Sequence, residues 1–167
     1  LMPPSEPVME GDSFDVQVYF KNPKALLIDN VNLDIRFDPK YMQVVDTDEE
    51  NWISRGTNIL DGPYHEVFPF DYHIKNAAYN QLGRIHYHAG MSQNDALYQE
   101  GVMATIRFIS IKAGESIPVA FYRNKEGKGP AAVTRGTTLS CSGKDILGAP
   151  ADSMKGIENT FVTILPR

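Results

Sequence analysis

Cysteine is nearly absent. Cys141 is the only one in 167 residues, which excludes an internal disulfide and a multi-cysteine metal site. Leu139, Ser140 and Ser142 around it supply no base to activate a thiol, so a small buried hydrophobe is its expected role. Basic charge is in deficit: 16 Lys and Arg against 21 Asp and Glu leave a net charge of −5. That argues against a nucleic-acid binder, whose phosphate contacts need a basic footprint. No apolar run approaches the roughly 20 residues that span a bilayer. No signal peptide is visible after Leu1, and the chain reads as an excised module or a mature product. No segment carries a long apolar stripe at helical spacing. The sequence has no G-x-S-x-G elbow, no H-E-x-x-H and no phosphate-cradling glycine loop. Its carboxylates are plentiful, but none is marked as a matched acid–base pair. Neither an enzyme nor a cofactor is expected.

What is present is alternation. In Val31 to Asp46, Val31, Leu33, Ile35 and Phe37 are apolar, with Asn32, Asp34, Arg36 and Asp38 between them. This period of two marks a strand with one face buried and one face wet. Asp38-Pro39 then breaks it. Further strands are expected over Phe14 to Lys21, Tyr41 to Val45, Glu66 to Lys75, Arg84 to Ala89, Gly101 to Lys112, Ile117 to Tyr122, Thr137 to Ser142 and Thr160 to Leu165. Ile109 and Ile111 reverse the phase of their strand, which predicts a β-bulge near Phe108. Asp46 to Pro63, Asn124 to Pro130 and Ser142 to Asn159 read as connections. With a hydrophobic fraction of 42%, about nine short strands predict one all-β domain over 8–167. It would be an antiparallel β-sandwich preceded by a linker, 1–7.

IRFDPKYMQVVD resembles the strand–Asp-Pro–strand signature of cohesin modules. EGVMATIRFISIKAGESIPVAF resembles their late strand pair, and VMEGDSFDVQVYFKN, TTLSCSGKDILG and NTFVTI fit their order along nearly the whole chain. The resemblance implies a jelly-roll sandwich from a secreted or cell-surface protein. It further implies a dockerin-type partner, with calcium carried by the dockerin rather than here. It places partner contacts at Asn30, Asn32 and Asp34 on the polar face before Asp-Pro, and at Ile85, Tyr87 and Gly90 on a second strand. Asn32 and Gly90 depart from the family pattern, where acidic residues are common. Two other readings on the same fold are a carbohydrate-binding module, with polysaccharide as ligand, and a structural spacer in a surface protein.

Three further constellations carry chemistry. His86 and His88 flank Tyr87 and share a strand face. With His73 on a neighbouring strand, three imidazoles would suit zinc or copper. Alternatively Ile85, Tyr87 and Ala89 are the buried set and the histidines are exposed, or the family register turns the histidines inward and exposes Tyr87. Asp46, Asp48, Glu49 and Glu50 offer oxygens to a hard cation but lack the spacing of a helix–loop–helix calcium loop, so a solvated acidic loop is expected. Aromatics are frequent between Trp52 and Tyr87, with Tyr64, Phe68, Phe70, Tyr72 and Tyr79 among them; Phe68 and Phe70 are better explained as core, and Tyr64, Tyr79 and Tyr98 are the candidates for exposed sugar platforms.

Overall fold

The computed structural model describes residues 1–46, 60–61, 70–91, 100–126, 133–147 and 156–167. In chain order its strands are β1 (Val8–Met9), β2 (Ser13–Phe20), β3 (Asn30–Phe37), β4 (Met42–Val44), β5 (Leu60–Asp61), β6 (Tyr72–Tyr79) and β7 (Arg84–Gly90). There follow β8 (Gly101–Ser110), β9 (Gly114–Phe121), β10 (Arg123–Glu126), β11 (Val133–Gly136), β12 (Thr138–Cys141), β13 (Lys144–Asp145) and β14 (Thr160–Leu165). The protein is the all-β sandwich that the alternation predicts.

The smaller sheet runs β2-β8-β4, with β5 also on β8. The larger sheet runs β1-β14-β9-β3-β12-β13, and β7 and then β6 extend it on the other side of β3. Pairing is antiparallel except between β1 and β14. The apolar halves of the strands meet between the sheets. Val31, Leu33, Ile35 and Phe37 of β3, Ile85, Tyr87 and Ala89 of β7, and Val16, Ala104, Ile106 and Phe108 of the smaller sheet are all buried. Phe108 stacks on Phe14 at 5.5 Å and meets Phe37 edge-on at 5.3 Å. Such aromatic pairs add to the area term, itself about 1.5–3 kcal/mol per large side chain buried.

Two devices hold the β6–β7 hairpin on this core. The turn between them, Asn80 to Gly83, ends in a left-handed glycine, φ +58. A Cβ there would lie 2.0 Å from the Phe37 carbonyl oxygen, so only glycine fits. The Asn80 side chain then imitates a strand partner: its Oδ1 accepts from Val44 N at 2.8 Å and its Nδ2 donates to Val44 O at 2.9 Å. One amide thereby links the larger sheet to an edge of the smaller one.

Several expectations are corrected. Residues 1–7 do not run free: Met2 bridges Gln17 through hydrogen bonds of 2.8 and 3.1 Å, and Leu1 packs against the core. A short segment with few apolar groups still docks when its backbone finds a strand to pair with. β8 shows no reversal at Phe108; Ile109 stays on the outer face at 38% exposure, and the register shift lies opposite Val18 and Tyr19. The polar stretch from Asn124 contains β10, paired with β11 as a small ribbon apart from the main sheets. Cys141 is half-buried. Trp52, Asp48, Glu49, Glu50, Tyr64, Phe68 and Tyr98 lie outside the described residues.

Candidate partner-binding face

The register across β6, β7, β3 and its flanks sets out the outer face of the larger sheet in four rows. Cross-strand partners share a face, and alternate residues follow along each strand. The first row is Tyr72, Gly90, Asn30 and Ser140; the second is Lys75, His88, Asn32 and Thr138. The third is Ala77, His86 and Asp34; the fourth is Tyr79, Arg84, Arg36 and Ala120. Ile74 is the extra residue at a register shift between His73 and Lys75, and it projects from the β6 edge at 57% exposure. With strands about 4.8 Å apart and a rise of about 3.3 Å per residue, the rows cover an area roughly 15–20 Å on a side. That is wide enough for a helix of about 10 Å diameter to lie across it.

Asp34 is the centre of this face, and the backbone explains why. β9 pairs with β3 only at Ile35 to Phe37, and β12 only at Asn30 to Asn32. Asp34 falls in the gap between them. Thr137 fills it: its Oγ1 accepts from Asp34 N and donates to Asp34 O, both at 3.0 Å, while Tyr122 N donates to Asp34 O at 2.7 Å. The side chain turns outward yet is only 3% exposed, because its neighbours cover it. Arg84 donates from Nε to Oδ1 at 3.3 Å and from Nη2 to Oδ2 at 2.8 Å. His86 Nε2 lies 3.1 Å from Oδ2. Arg36 Nε lies 3.2 Å from Oδ1, poorly aligned for a hydrogen bond, and its guanidinium sits 4.9 Å over the Tyr122 ring. One carboxylate therefore faces two guanidiniums and an imidazole.

Apart from the Lys75 ammonium, the upper rows carry neutral side chains. His88 Nε2 lies 3.2 Å from Asn30 Nδ2, a contact that needs the imidazole to accept and hence to be neutral. Burial lowers the His88 pKa below its ordinary value, in agreement with that requirement. Asn32 Nδ2 donates to Gly136 O at 2.9 Å. Tyr72 lies across Gly90, where a Cβ would come within 2.7 Å of its hydroxyl. Lys75 holds its ammonium 5.4 Å from the Tyr79 ring, and Tyr79 meets His86 edge-on.

Asn30, Asn32 and Asp34 thus lie on the outer face, as the alternation of β3 predicts. Ile85 and Tyr87 do not. Both have 0% exposure and belong to the core, which corrects their placement as partner contacts. The competing set, Arg84, His86 and His88, holds the outer side because three apolar residues at period two bury together. Gly90 is on the face but buried, a seat for Tyr72 rather than a contact of its own. His73 does not join His86 and His88. It pairs with Ala89 on the inward phase and meets the Tyr87 hydroxyl at 3.3 Å. Among the described residues, no three His, Cys, Asp or Glu side chains converge as a metal site would need. Sequence reasoning did not assign Arg84, Lys75, Tyr72 or Tyr79 to the face. Arg84 was within reach, as the residue two before His86 in the polar phase of β7.

No protein-family model matches the chain, and no curated protein matches it in sequence. Its structure is similar to solved cohesin structures. A type II cohesin domain from the cellulosome of Acetivibrio cellulolyticus superposes with a TM-score of 0.61 at 17% identity, over 95% of this chain and 85% of that one. Type II cohesin A11 from Bacteroides cellulosolvens superposes with a TM-score of 0.63 at 16% identity, over 96% and 94%. A type II cohesin–X-dockerin complex from Acetivibrio cellulolyticus matches with a TM-score of 0.62 at 13% identity, over 99% and 93%. The chain has the cohesin β-sandwich fold.

Proposed function

We propose that this chain is a non-catalytic protein-binding module that docks a dockerin-type partner on the outer face of β6, β7, β3 and β9. The arrangement around Asp34 carries the reading. It is a polar sheet face whose charged side chains around Asp34 are held in place by one another, on a fold whose solved examples include complexes with dockerins. Donors fixed before binding lose little freedom on docking, so their hydrogen bonds count toward affinity and specificity. The module would form part of a larger secreted or cell-surface protein and serve to assemble a complex there. Calcium would belong to the partner.

The carbohydrate reading has less support. Of the aromatics between Trp52 and Tyr87 that are among the described residues, Phe70 is buried, while Tyr72 and Tyr79 are engaged with Gly90, Lys75 and His86. The test is a calorimetric titration with a calcium-loaded dockerin module encoded in the same genome, repeated after chelation. Saturable binding that disappears with calcium removal is expected. A folded chain that binds no such module overturns the proposal and leaves a spacer role.

A further inference from the structure

Charge is distributed unevenly over this acidic chain. Four carboxylate–guanidinium sites have their geometry on the described residues; one of them, Arg167 with Asp12 at 3.4 Å, is an exposed pair at the end of the chain. On the smaller sheet, Arg107 donates to Asp15 through Nε and Nη2 at 2.9 and 3.1 Å, one cation to one anion. Near the β10–β11 ribbon, Arg123 meets Asp145 at 2.7 Å and donates to Thr137 O at 2.7 Å, with the guanidinium fully buried. Only at Asp34 do cations outnumber the anion. There Arg84 and Arg36 share one carboxylate and remain 33% and 41% exposed. Lys75 stands one row away on the same face, and no carboxylate among the described residues lies within ion-pair distance of it. His86 adds a further donor to the same site. Asp29, Asp71 and Asp38 flank this face in sequence: Asp29 and Asp71 precede the first row, where Asp29 accepts from Ser142 N, and Asp38 follows Arg36 past the fourth row, where it accepts from Lys40 N at 2.9 Å.

On β6, β7 and β3 the face therefore has three cations, Lys75, Arg84 and Arg36, against the one anion Asp34, in a chain whose net charge is −5; Asp145, beside Ser140 at the end of the first row, is matched by Arg123. At physiological ionic strength charges are screened over about 8 Å, so a docked partner senses the local cations more than the distant acidic surface. Arg84 has committed Nε and one terminal nitrogen to Asp34, and Nη1 is not part of that contact. Arg36 offers its terminal nitrogens in the same row. Arg84 and Arg36 are cross-strand partners, whose Cβ atoms lie about 4.5–5.5 Å apart, a spacing that suits carboxylates carried one turn apart on a helix, about 5–6 Å from each other.

We infer that the partner of this face presents acidic side chains, Asp or Glu on one side of a helix, to Lys75, Arg84 and Arg36. The inference rests on the protein-docking reading above and gives the partner's chemistry. It assigns the face a charge preference opposite to that of a carboxylate-lined surface, which would select Lys or Arg.

The experiment has two arms. In the first, a synthetic helical peptide with Glu along one face is titrated into the labelled full chain, beside the same peptide with Gln at those positions. Amide chemical shifts are followed at low and at physiological salt. The Glu peptide is expected to shift Lys75, Arg84 and Arg36, with affinity falling on the order of tenfold across the salt range, and the Gln peptide to bind far more weakly. The second arm uses the calcium-loaded dockerin module with two variants of equal net charge. Lys75→Glu lies outside the Asp34 cluster and is expected to weaken binding by roughly five- to tenfold, and Lys112→Glu, in the β8–β9 turn, by less than about twofold. Melting curves confirm that both variants stay folded. Glu and Gln peptides that bind alike, a Glu peptide that leaves these amides unmoved, or undiminished dockerin binding by Lys75→Glu each overturn the charge preference. The last result leaves the dockerin reading intact. A Glu peptide bound at these rows while no dockerin binds supports the charge preference and removes the dockerin reading.

Discussion

The outer faces of the two sheets use the same side chains in different proportion. On the smaller sheet Asp15 and Arg107 stand directly opposite each other across β2 and β8 and satisfy each other in a bidentate pair. On the larger sheet Asp34 is overcommitted, with two arginines and a histidine around one buried carboxylate. The first arrangement is complete in itself. It is a cross-strand pair that adds a little to sheet pairing and leaves no excess of charge. The second is complete only for the anion. Its cations are held in position and still exposed, which is the condition for recognising something outside the chain.

The strongest way to break the comparison is from beneath. Tyr87 under the larger face and Phe108 under the smaller one both have 0% exposure. Tyr87→Ala and Phe108→Ala should each cost about 3–5 kcal/mol in urea unfolding, since both faces rest on one core. A Tyr87→Ala protein that unfolds like the parent but loses its partner would put Tyr87 back on the surface.

The next effect separates the faces. Asp34→Ala removes a buried anion and leaves its cations to repel one another. The cost should be about 2 kcal/mol, less than for a fully buried pair because the cations reach water. Asp15→Ala should cost below about 0.5 kcal/mol, as exposed pairs do. Equal losses in the two variants would show that the Asp34 cluster has no special standing.

The smallest effect concerns pH. Burial lowers the His88 pKa in the folded chain below 6.5. The folded state then binds fewer protons at this site than the unfolded one. Stability is complete above the unfolded value of 6.5 and is lost as pH falls through it toward the lowered folded value. Protonation also turns Nε2 into a donor facing the Asn30 amide. Urea melts at pH 7.5 and 5 should show a loss for the parent that is smaller in His88→Gln. An identical pH dependence in the two proteins would contradict this account of His88.

Much of this was legible in the chain, for local reasons. The alternation of β3 identified both its buried residues and its outward ones, because burial of one face is a property of single-strand pattern. The same pattern in β7 was the better guide than motif resemblance. It put Ile85, Tyr87 and Ala89 inside, where the resemblance had suggested that Tyr87 faces a partner. Asp34 shows the limit of reading exposure from phase: it points outward and is buried by its partners. Those partners were not legible. Arg84 meets Asp34 across 50 residues of sequence, and only the β3–β7 register brings them together. The β10–β11 ribbon was hidden for a related reason. It packs into neither main sheet, so no apolar alternation announced it.

The most direct test follows the dockerin titration residue by residue, by amide hydrogen exchange on the full chain with and without the calcium-loaded module. The account predicts slowed exchange and shifted signals along β6, β7 and β3, centred on the rows of Lys75, His86 and Arg84, with β2, β8 and β4 unchanged. Protection centred on the Asp15–Arg107 face, with the Asp34 rows unaffected, would contradict it.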